Sequence, residues 1–567
     1  MTKRTKLELT WPGKDERPKL EPRILIEDPA MSYHAKHRKS ANEIFDNILI
    51  QGDNLLALKA LEEKFLGKIK CIYIDPPYNS DAAFGDYDDN MEHSIWLSLL
   101  RERIEILWKL LTPNNGVLLI SINDDEAHYL KVLCDELCGR SSFVTSFVWH
   151  YEGNTDNQAK IINYHEYVLV YSRTGNIDDP GVIDPSVGND SKLLKEEIRN
   201  TIVKNGPKNP ISSIILPSGF PAGFEEGDVI PKGGAWPRLS GNARVKGFRL
   251  VNSVVASSGW SSRSLLERFI KGGFKPVDDT KKQMTVFELT KTGTIEGVKA
   301  RGGSKGHVVS VLRGFGTTNQ MRIMLEKLGI KFSYPKPVDL IAYLISVFTA
   351  EDDIILDSFA GSGTTAHAVL KLNKETGSSR KFILIELNAR TAKEVLVPRL
   401  KAVIEGNERA DIPFHGGGFR YFRLAPSLLE QDSYGNWVIA KDYNSAMLAE
   451  AMCKHMGFTY SPSEDVYWQH GASTETDFIY VTTQSLTTEA CARLSEDVGP
   501  DRSLLVACKA FEGKSDTFDN LTIVKIPSSI LRKCEWGRDD YSLNIANLPP
   551  PDEPERADLF DEAPAHG

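Results

Sequence analysis

At 567 residues the chain is too long for a single hydrophobic core, so about three or four structural units are expected. Its apolar fraction of 41% is typical of soluble proteins, and with neither a spanning apolar run nor a signal-peptide core we expect a cytoplasmic protein without a membrane partner. Seven scattered cysteines without a C-x-x-C pair indicate neither disulfides nor a bound metal, and the net charge of −9, taken for the whole chain, argues against nucleic acid.

The first 150 residues alternate between predicted strands and helices after a polar segment. Residues 1–45 are polar and proline-rich and are predicted to form an arm over the surface or a contact with a partner. The following elements are then predicted: strand 47–51, helix 55–65, strand 70–74, helix 94–111 and strand 117–122. Asp53 or Asn54 is placed to cap the first helix. This alternation is typical of a doubly wound parallel α/β sheet, whose first part we assign to residues 46–150.

The four residues Asp75-Pro76-Pro77-Tyr78 follow one of these buried strands. Two prolines end sheet pairing and stiffen a loop at the strand's carboxyl edge, where ligands bind in open α/β sheets. The Asp75 carboxylate and the carbonyl before Pro77 can each accept one hydrogen of an exocyclic amine while the Tyr78 ring stacks on a flat heterocycle. The motif therefore predicts an amine-binding loop, and an ordinary strand-to-turn exit is the alternative.

Between residues 151 and 330 the alternation stops, and short segments are separated by glycine, proline, serine and asparagine. Residues 229–330 hold 18 lysines and arginines against 6 acidic residues, a net charge of +12 that leaves −21 on the remainder. A basic region inside an acidic chain indicates a polyanion partner, with a merely solvated surface as the alternative. Within it we predict a helix at 264–269 and a strand at 283–289.

The αβ alternation resumes over residues 331–410, and the predicted elements are helix 338–348, strand 353–357, a helix ending near 372, and strand 381–386. Between the first strand and its helix, Gly361 and Gly363 let the backbone approach a ligand closely. Glu386 follows about 23 residues later, where a carboxylate can accept both hydroxyls of a ribose. Neither a third dinucleotide glycine nor a Gly-Lys-Ser/Thr triphosphate loop is present, so a nucleoside without pyrophosphate, such as S-adenosylmethionine, is predicted.

The C-terminal part is predicted to form a separate unit over residues 411–545, after a glycine linker at 416–418. Apolar runs at 478–481, 503–508 and 521–526 predict three strands of a small α/β module without a visible catalytic set. We interpret this module as a docking or dimerisation domain. Residues 546–567 are rich in proline and acids and predict a disordered acidic tail.

Together the two loops resemble those of DNA amino-methyltransferases in the circularly permuted order called the β class. In that order Asp-Pro-Pro-Tyr comes first, a target-recognition domain follows, and the cofactor loop Asp-x-Phe-x-Gly-Ser-Gly-Thr-Thr comes last. Residues 357–365 match that loop at every defined position, and residues 334–337 resemble the family's lead-in to its cofactor helix. More narrowly, residues 52–55, residues 315–320 and the long C-terminal extension resemble modification subunits of type III restriction–modification systems.

The resemblance implies a Rossmann-like doubly wound methyltransferase sheet, circularly permuted, with residues 151–330 as an inserted target-recognition domain. It implies that Asp75 and the Pro76 carbonyl accept the two hydrogens of the adenine N6 amine, and that Pro77 and Tyr78 complete the catalytic loop with the Tyr78 ring on the base. The implied cofactor is S-adenosylmethionine. The residues that would bind it are Asp53, Asn54, Lys336, Asp357, Phe359, Gly361, Ser362, Gly363, Thr364, Thr365 and Glu386.

The implied substrate is double-stranded DNA whose target adenine is flipped out of the stack. The resemblance implies a homodimer, since permuted methyltransferases often pair. A separate restriction subunit is the second implied partner, because the sequence shows neither a nuclease carboxylate set nor a helicase phosphate loop. An N4-cytosine methyltransferase is one alternative, since cytosine also presents an exocyclic amine, although such enzymes more often carry serine in place of Asp75. A non-catalytic DNA-specificity subunit of a defence complex is a second alternative, and methylation of RNA or protein is a third.

Overall fold

The computed structural model describes residues 8–38, 40–79, 93–151, 163–178, 180, 182, 184–185, 197–231, 234, 236–280, 282–300, 308–514 and 517–541. The chain divides into two compact units, one formed by Met1–Asp178 with Ser310–Gly567 and the other by Asp179–Val309. Across the helices of these described stretches, none is both long and apolar enough to cross a membrane.

The first unit is built around an eleven-stranded sheet. Its strands lie in the order Leu25–Glu27, Gly418–Leu424, Asn47–Gln51, Lys381–Glu386, Ile354–Asp357, Cys71–Ile74, Val117–Ile122, His165–Ser172, Phe143–His150 and Val311–Leu312, with Tyr33–His34 also paired to the second of these. The strands from Gly418–Leu424 to Val117–Ile122 are mutually parallel. The strands Cys71–Ile74 and Val117–Ile122 are buried along their whole length, as expected of strands covered on both faces.

Helices follow the parallel strands, as the alternation predicts for an α/β sheet. They are Asn54–Phe65, His93–Leu110, Ala127–Cys134, Thr318–Lys327, Val338–Phe348, Thr364–Thr376, Ala389–Thr391 and Val397–Glu405. Asp53 caps the first of them, because its carboxylate accepts a hydrogen bond of 2.9 Å from the Leu56 backbone N–H, and the predicted cap is confirmed. The fully buried side chains of Leu56, Trp96 and Ile120 belong to the hydrophobic core against the sheet.

Two segments predicted to lie outside the sheet contribute strands to it. In the predicted N-terminal arm 1–45, Leu25–Glu27 and Tyr33–His34 both pair antiparallel with Gly418–Leu424. The predicted linker at 416–418 is wrong, because Gly418 begins that strand. A side chain at Gly418 would lie 2.6 Å from the Tyr33 carbonyl oxygen, so the glycine is needed for close packing rather than for flexibility.

The second compact unit, Asp179–Val309, is narrower than the predicted inserted region 151–330. His165–Ser172 pairs antiparallel with Val117–Ile122, and Val311–Leu312 pairs parallel with Phe143–His150, so both strands belong to the large sheet. Tyr167 to Val170 form a short apolar run that fills a position next to the parallel strands.

The second unit consists of three small antiparallel sheets and one helix, Arg263–Lys271, within the part of it that is described. The strands of the sheets are Glu226–Asp228, Arg244–Lys246 and Arg249–Leu250; Arg238–Ser240, Val254–Ser258 and Ser212–Leu216; and Val277–Asp278, Met284–Leu289, Ile295–Ala300 and Glu197–Thr201. The predicted helix and the predicted strand at 283–289 are confirmed. Phe220, Phe269 and Phe287 are fully buried in the core of this unit.

The C-terminal part of the first unit carries its own five-stranded sheet, with strands Thr459–Tyr460, Gly471–Ala472, Asp477–Val481, Ser503–Cys508 and Leu521–Lys525. Two strand pairs, Leu429–Gln431 with Trp437–Ile439 and Ser485–Leu486 with Ala510–Phe511, and two helices, Ser445–Met456 and Thr488–Val498, complete it. The three predicted strands are the parallel members of the sheet, so that prediction is confirmed. The predicted acidic tail 546–567 lies outside the described residues.

Candidate active site

The Asp-Pro-Pro-Tyr loop leaves the carboxyl end of the central strand Cys71–Ile74 and is anchored on both sides. The Trp96 indole N–H donates a 2.8 Å hydrogen bond to the Pro77 carbonyl. Asn79 adopts a left-handed conformation with φ of 55°, and its amide donates a 2.6 Å hydrogen bond to the buried carboxylate of Glu126. These contacts fix the backbone on either side of Tyr78.

Four side chains meet at this loop and form what we call the Asp75 cluster: Asp75, Tyr78, Glu166 and Lys336. The Tyr78 hydroxyl lies 2.8 Å from Asp75 Oδ1 and 2.9 Å from Glu166 Oε2. Lys336 Nζ lies 3.0 Å from the same Asp75 oxygen, 3.2 Å from the same Glu166 oxygen and 4.6 Å from the centre of the Tyr78 ring. The ammonium group is therefore shared by two carboxylates above an aromatic face.

The protonation states of the cluster follow from its environment. Burial alone would lower the pKa of Lys336, but Asp75 and Glu166 outweigh burial and raise that pKa above its ordinary value. Burial, followed by the same two carboxylates, raises the pKa of Tyr78 well above its ordinary value. At neutral pH the cluster thus contains an ammonium ion and a neutral phenol.

Two acceptors of the loop have no hydrogen-bond donor among the described residues. One is the second oxygen of Asp75, Oδ2, since Tyr78 and Lys336 both contact Oδ1. The other is the Pro76 carbonyl, the oxygen predicted to accept an amine hydrogen. An exocyclic amine carries two hydrogens, so this pair of acceptors matches the hydrogen-bonding capacity of such a group.

The glycine loop leaves the neighbouring strand, because Ile354–Asp357 pairs parallel with Cys71–Ile74 and both strands end at the same edge of the sheet. Gly361 and Gly363 have φ of 50° and 80°, a conformation that favours glycine. A side chain at Gly363 would lie 3.2 Å from Leu396 Cγ, so the loop packs closely on the helix behind it. The sheet order therefore brings the two predicted motifs together from about 280 residues apart in sequence.

Asp357 and Glu386 hold the glycine loop from its two flanking strands. The Asp357 carboxylate accepts hydrogen bonds from the Thr365 hydroxyl at 2.5 Å and the Phe359 backbone N–H at 2.9 Å. Burial raises the pKa of Asp357 to about 7, although these two hydrogen bonds favour the charged form. Glu386, which is 2% exposed, accepts from the backbone N–H groups of Gly361 and Asn388 at 2.8 and 2.9 Å. Its predicted contact with a ribose stays a prediction.

Asp53 and Asn54 lie behind the glycine loop, where both are buried. The Asn54 amide donates a 2.9 Å hydrogen bond to the Ser358 carbonyl, and so ties the first helix to the loop. Asp53 Oδ2 lies 3.4 Å from the buried Arg103 guanidinium and accepts a 3.0 Å hydrogen bond from the Tyr541 backbone N–H. Asn54 therefore supports the glycine loop directly, and the predicted contact of both residues with a cofactor stays a prediction.

Arg399 is a site residue that the sequence analysis missed. Its guanidinium is fully buried, and one nitrogen donates hydrogen bonds to the Ser362 carbonyl, the Ser362 hydroxyl and the Thr364 hydroxyl at 3.1, 2.7 and 3.0 Å. The Thr364 hydroxyl in turn donates to the Lys336 carbonyl at 3.2 Å. Burial lowers the pKa of Arg399 to about 9. The Arg399 guanidinium therefore stabilises the glycine loop. The only signal of Arg399 in the sequence is that an arginine stands at an apolar position of a helix.

Glu166 is the second residue that was missed. It lies in the strand His165–Ser172, inside a region predicted to be outside the sheet, and it belongs to neither motif. Its signal in the sequence is a charged residue immediately before the apolar run that begins at Tyr167. The structure brings Glu166 to Tyr78 and Lys336 because its strand is the second neighbour of Cys71–Ile74 in the sheet.

Comparison with known proteins gives the following matches. A family described as DNA methylase matches residues 69–396, more than half of the chain. The StyLTI Mod subunit of a type III restriction–modification enzyme from Salmonella typhimurium is 28% identical over 385 residues, which cover 61% of this chain and 53% of that protein. The EcoPI Mod subunit from Escherichia phage P1 is 27% identical, with coverage of 67% and 63%. The EcoP15I Mod subunit from Escherichia coli is 23% identical, with coverage of 89% and 86%. The chain thus spans about half the length of the first of these relatives and most of the third.

Proposed function

Since the chain belongs to the DNA methylase family, we propose that it transfers a methyl group from S-adenosylmethionine to the N6 amine of an adenine in duplex DNA. One observation carries the proposal: the loop that holds the two acceptors, Asp75 Oδ2 and the Pro76 carbonyl, and the glycine loop follow neighbouring parallel strands at the same edge of the sheet. An amine can therefore be held at one loop while its methyl donor is held at the other.

The residues of the glycine loop fit this cofactor. Gly361 and Gly363 give the loop a left-handed backbone that favours glycine, and the buried hydroxyl of Ser358 has no hydrogen-bond partner among the described residues. Phe359, Ser362, Thr364 and Thr365 complete the loop, and Lys336 lies beside it. When bound, S-adenosylmethionine would supply a methyl group that is already activated by its sulfonium charge.

The catalytic loop would prepare the amine for attack. Asp75 Oδ2 and the Pro76 carbonyl would accept its two hydrogens, which moves the nitrogen lone pair out of conjugation with the ring. Tyr78 would stack on the base, with its orientation fixed by the hydrogen bonds of its hydroxyl. The base must leave the duplex stack to reach this site, and stacking on Tyr78 offsets part of that cost.

Residues 179–309, the second compact unit, lie within the region we propose as the target-recognition domain of the permuted family. Most of the basic stretch 229–330 lies in it, which supports salt-dependent contacts with DNA phosphates. The similarity to proteins named as Mod subunits of type III restriction–modification enzymes supports the proposal that this chain is a modification subunit. We propose that DNA cleavage belongs to a separate restriction subunit and that the modification subunit forms a homodimer.

Single-molecule sequencing of genomic DNA from cells that express the chain tests this proposal. N6-methyladenine is expected at one short motif with the unaltered chain and at none with D75A, because the substitution removes an acceptor of the amine. D124N is the matched control, since Asp124 is a nearby carboxylate that binds Tyr167 rather than the Asp75 cluster, and it should methylate normally. N4-methylcytosine at the motif would support the cytosine alternative, and specific DNA binding without methylation would support the non-catalytic one.

A further inference from the structure

Glu166 is a carboxylate of the site for which the proposed mechanism gives no role. Its side chain is 19% exposed, and Oε2 contacts both the Tyr78 hydroxyl at 2.9 Å and Lys336 Nζ at 3.2 Å. Neither the Asp-Pro-Pro-Tyr motif nor the glycine loop includes it. A second carboxylate here is costly to bury unless it is paired, so its presence calls for a physical reason.

The charge of the Asp75 cluster depends on Glu166. Asp75 and Lys336 alone would form a neutral ion pair, and the Glu166 carboxylate brings the cluster to a net charge of −1. Because the ammonium of Lys336 also contacts Glu166, its positive charge is shared between Asp75 and Glu166. Asp75 thereby keeps more of its negative charge for the hydrogens of the amine.

The orientation of Tyr78 also depends on Glu166. A phenol has one proton to donate, and here two carboxylate oxygens lie 2.8 and 2.9 Å from its oxygen. Whichever carboxylate accepts the proton, the hydroxyl stays between them. The ring that would stack on the base is therefore held at its far end as well as at its backbone.

The methyl transfer moves positive charge toward this cluster. The amine nitrogen forms a bond to the methyl carbon while the carbon–sulfur bond breaks and leaves its electron pair on sulfur. The positive charge leaves sulfur and appears on nitrogen, which then loses a proton to Asp75. A negative cluster placed at the amine stabilises the charge that develops there, and a neutral one would not.

We propose that Glu166 is a positioning residue for methyl transfer, which shares Lys336 with Asp75, fixes the Tyr78 hydroxyl and keeps the site negative. This inference rests on the proposed function for its kinetic consequence. It also has a consequence without catalysis: the negative cluster favours a cationic sulfonium ligand over its neutral thioether product. S-adenosylmethionine and S-adenosylhomocysteine differ in this charge, so their relative affinities report on the cluster.

The test compares E166Q, E166D and D124N with the unaltered chain. Glutamine can still accept a hydrogen bond from Tyr78 but has no charge, whereas aspartate keeps the charge on a shorter side chain. Calorimetric titration should show that E166Q weakens S-adenosylmethionine relative to S-adenosylhomocysteine by about fivefold, as expected for one charge at several ångströms. The single-turnover methylation rate of E166Q should fall about 100-fold with KM for DNA unchanged. E166D should recover part of both losses, and D124N should show neither.

Several outcomes overturn the inference. It is wrong if E166Q leaves both the affinity ratio of the two cofactor forms and the methylation rate unchanged. It is also wrong if E166D loses as much activity as E166Q and both variants unfold at a lower temperature, since Glu166 would then be only a structural residue. A shifted affinity ratio in a chain that never methylates DNA would support the role of Glu166 in cofactor charge recognition. That same result would overturn the proposed function.

Discussion

Asp357 is a buried carboxyl group whose ionisation should lower the stability of the folded protein. Its pKa of about 7 in the folded state lies above the ordinary value of 3.8, so folding takes up a proton between these two pH values. The stability of the cofactor-free protein should therefore fall as the pH rises through this window, by up to roughly 4 kcal/mol for this group. D357N removes the ionisation, so the variant should gain stability relative to the unaltered chain as the pH is raised from 4 to 8.

Urea unfolding of both proteins at pH 4, 6 and 8, without cofactor, measures this difference. D46N is a suitable control, since Asp46 is an exposed carboxylate paired with Lys381 at the start of the same sheet. Its substitution removes an exposed ion pair, which should change the free energy of unfolding by less than about 1 kcal/mol at each pH. If the free energy of unfolding of D357N differed from that of the unaltered chain by the same amount at all three pH values, the prediction would be contradicted.

At the scale of single residues, motifs were a good guide to one part of the site only. Asp75, Tyr78 and Lys336 stand in recognisable sequence patterns, and the structure brings their side chains within hydrogen-bonding or ring contact. Glu166 and Arg399 stand in no motif. Their contacts depend on which strands and helices become neighbours, and local sequence carries no information about that order.

Among the secondary-structure elements, the glycine loop depends most on backbone conformation. Gly363 precedes the helix Thr364–Thr376 with φ of 80°, where alanine costs about 1–2 kcal/mol. In G363A the added carbon would also press on Leu396 at 3.2 Å. We expect G363A to bind S-adenosylmethionine about tenfold more weakly, because a loop displaced by strain of this size loses a comparable part of its binding energy. Calorimetric titration measures the affinity.

G377A is the matched control for this variant. Gly377 ends the same helix with φ of 69°, and the nearest atom to a side chain there lies 4.0 Å away. Its substitution should cost stability through the same backbone strain but leave cofactor affinity intact, because it lies at the opposite end of the helix. Equal losses of affinity in both variants would mean that strain in the helix, rather than the loop, controls binding.

The central elements were predictable from their own apolar patterns, which are a continuous run in the buried strand Val117–Ile122 and a helical spacing in Val338–Phe348. The edge strands Leu25–Glu27 and Tyr33–His34 contain three and two residues, too few for a periodic signal. The glycines at 416–418 are predicted to form a linker, whereas the close approach of the N-terminal segment requires glycine there. The structure of these short elements is thus determined by the strands that they pair with more than by their own sequence.

At the scale of the whole molecule, residues near the C-terminus contact the N-terminal part of the large sheet's core. Tyr541 is 7% exposed within the main hydrophobic core, and its backbone N–H bonds to the buried Asp53. Y541A should destabilise the first unit by about 3 kcal/mol, since truncation of a buried aromatic side chain leaves a cavity. A lower midpoint of thermal unfolding would be the measured effect.

Y434A provides the comparison, because Tyr434 belongs to the same C-terminal part but is 88% exposed. That variant should unfold at the temperature of the unaltered chain. If Y541A also unfolded at that temperature, the C-terminal contact would not contribute to the stability of the core.

The position of the strand Asn47–Gln51 has a consequence for how the protein is made. Its two neighbours in the sheet, Lys381–Glu386 and Gly418–Leu424, are synthesised more than 300 residues later. At ribosomal rates of about 5–20 residues per second, this strand waits roughly 15–70 s for its first neighbour. During that interval the nascent chain carries unpaired apolar segments of the large sheet, and the sheet closes only after Gly418–Leu424 has left the ribosome.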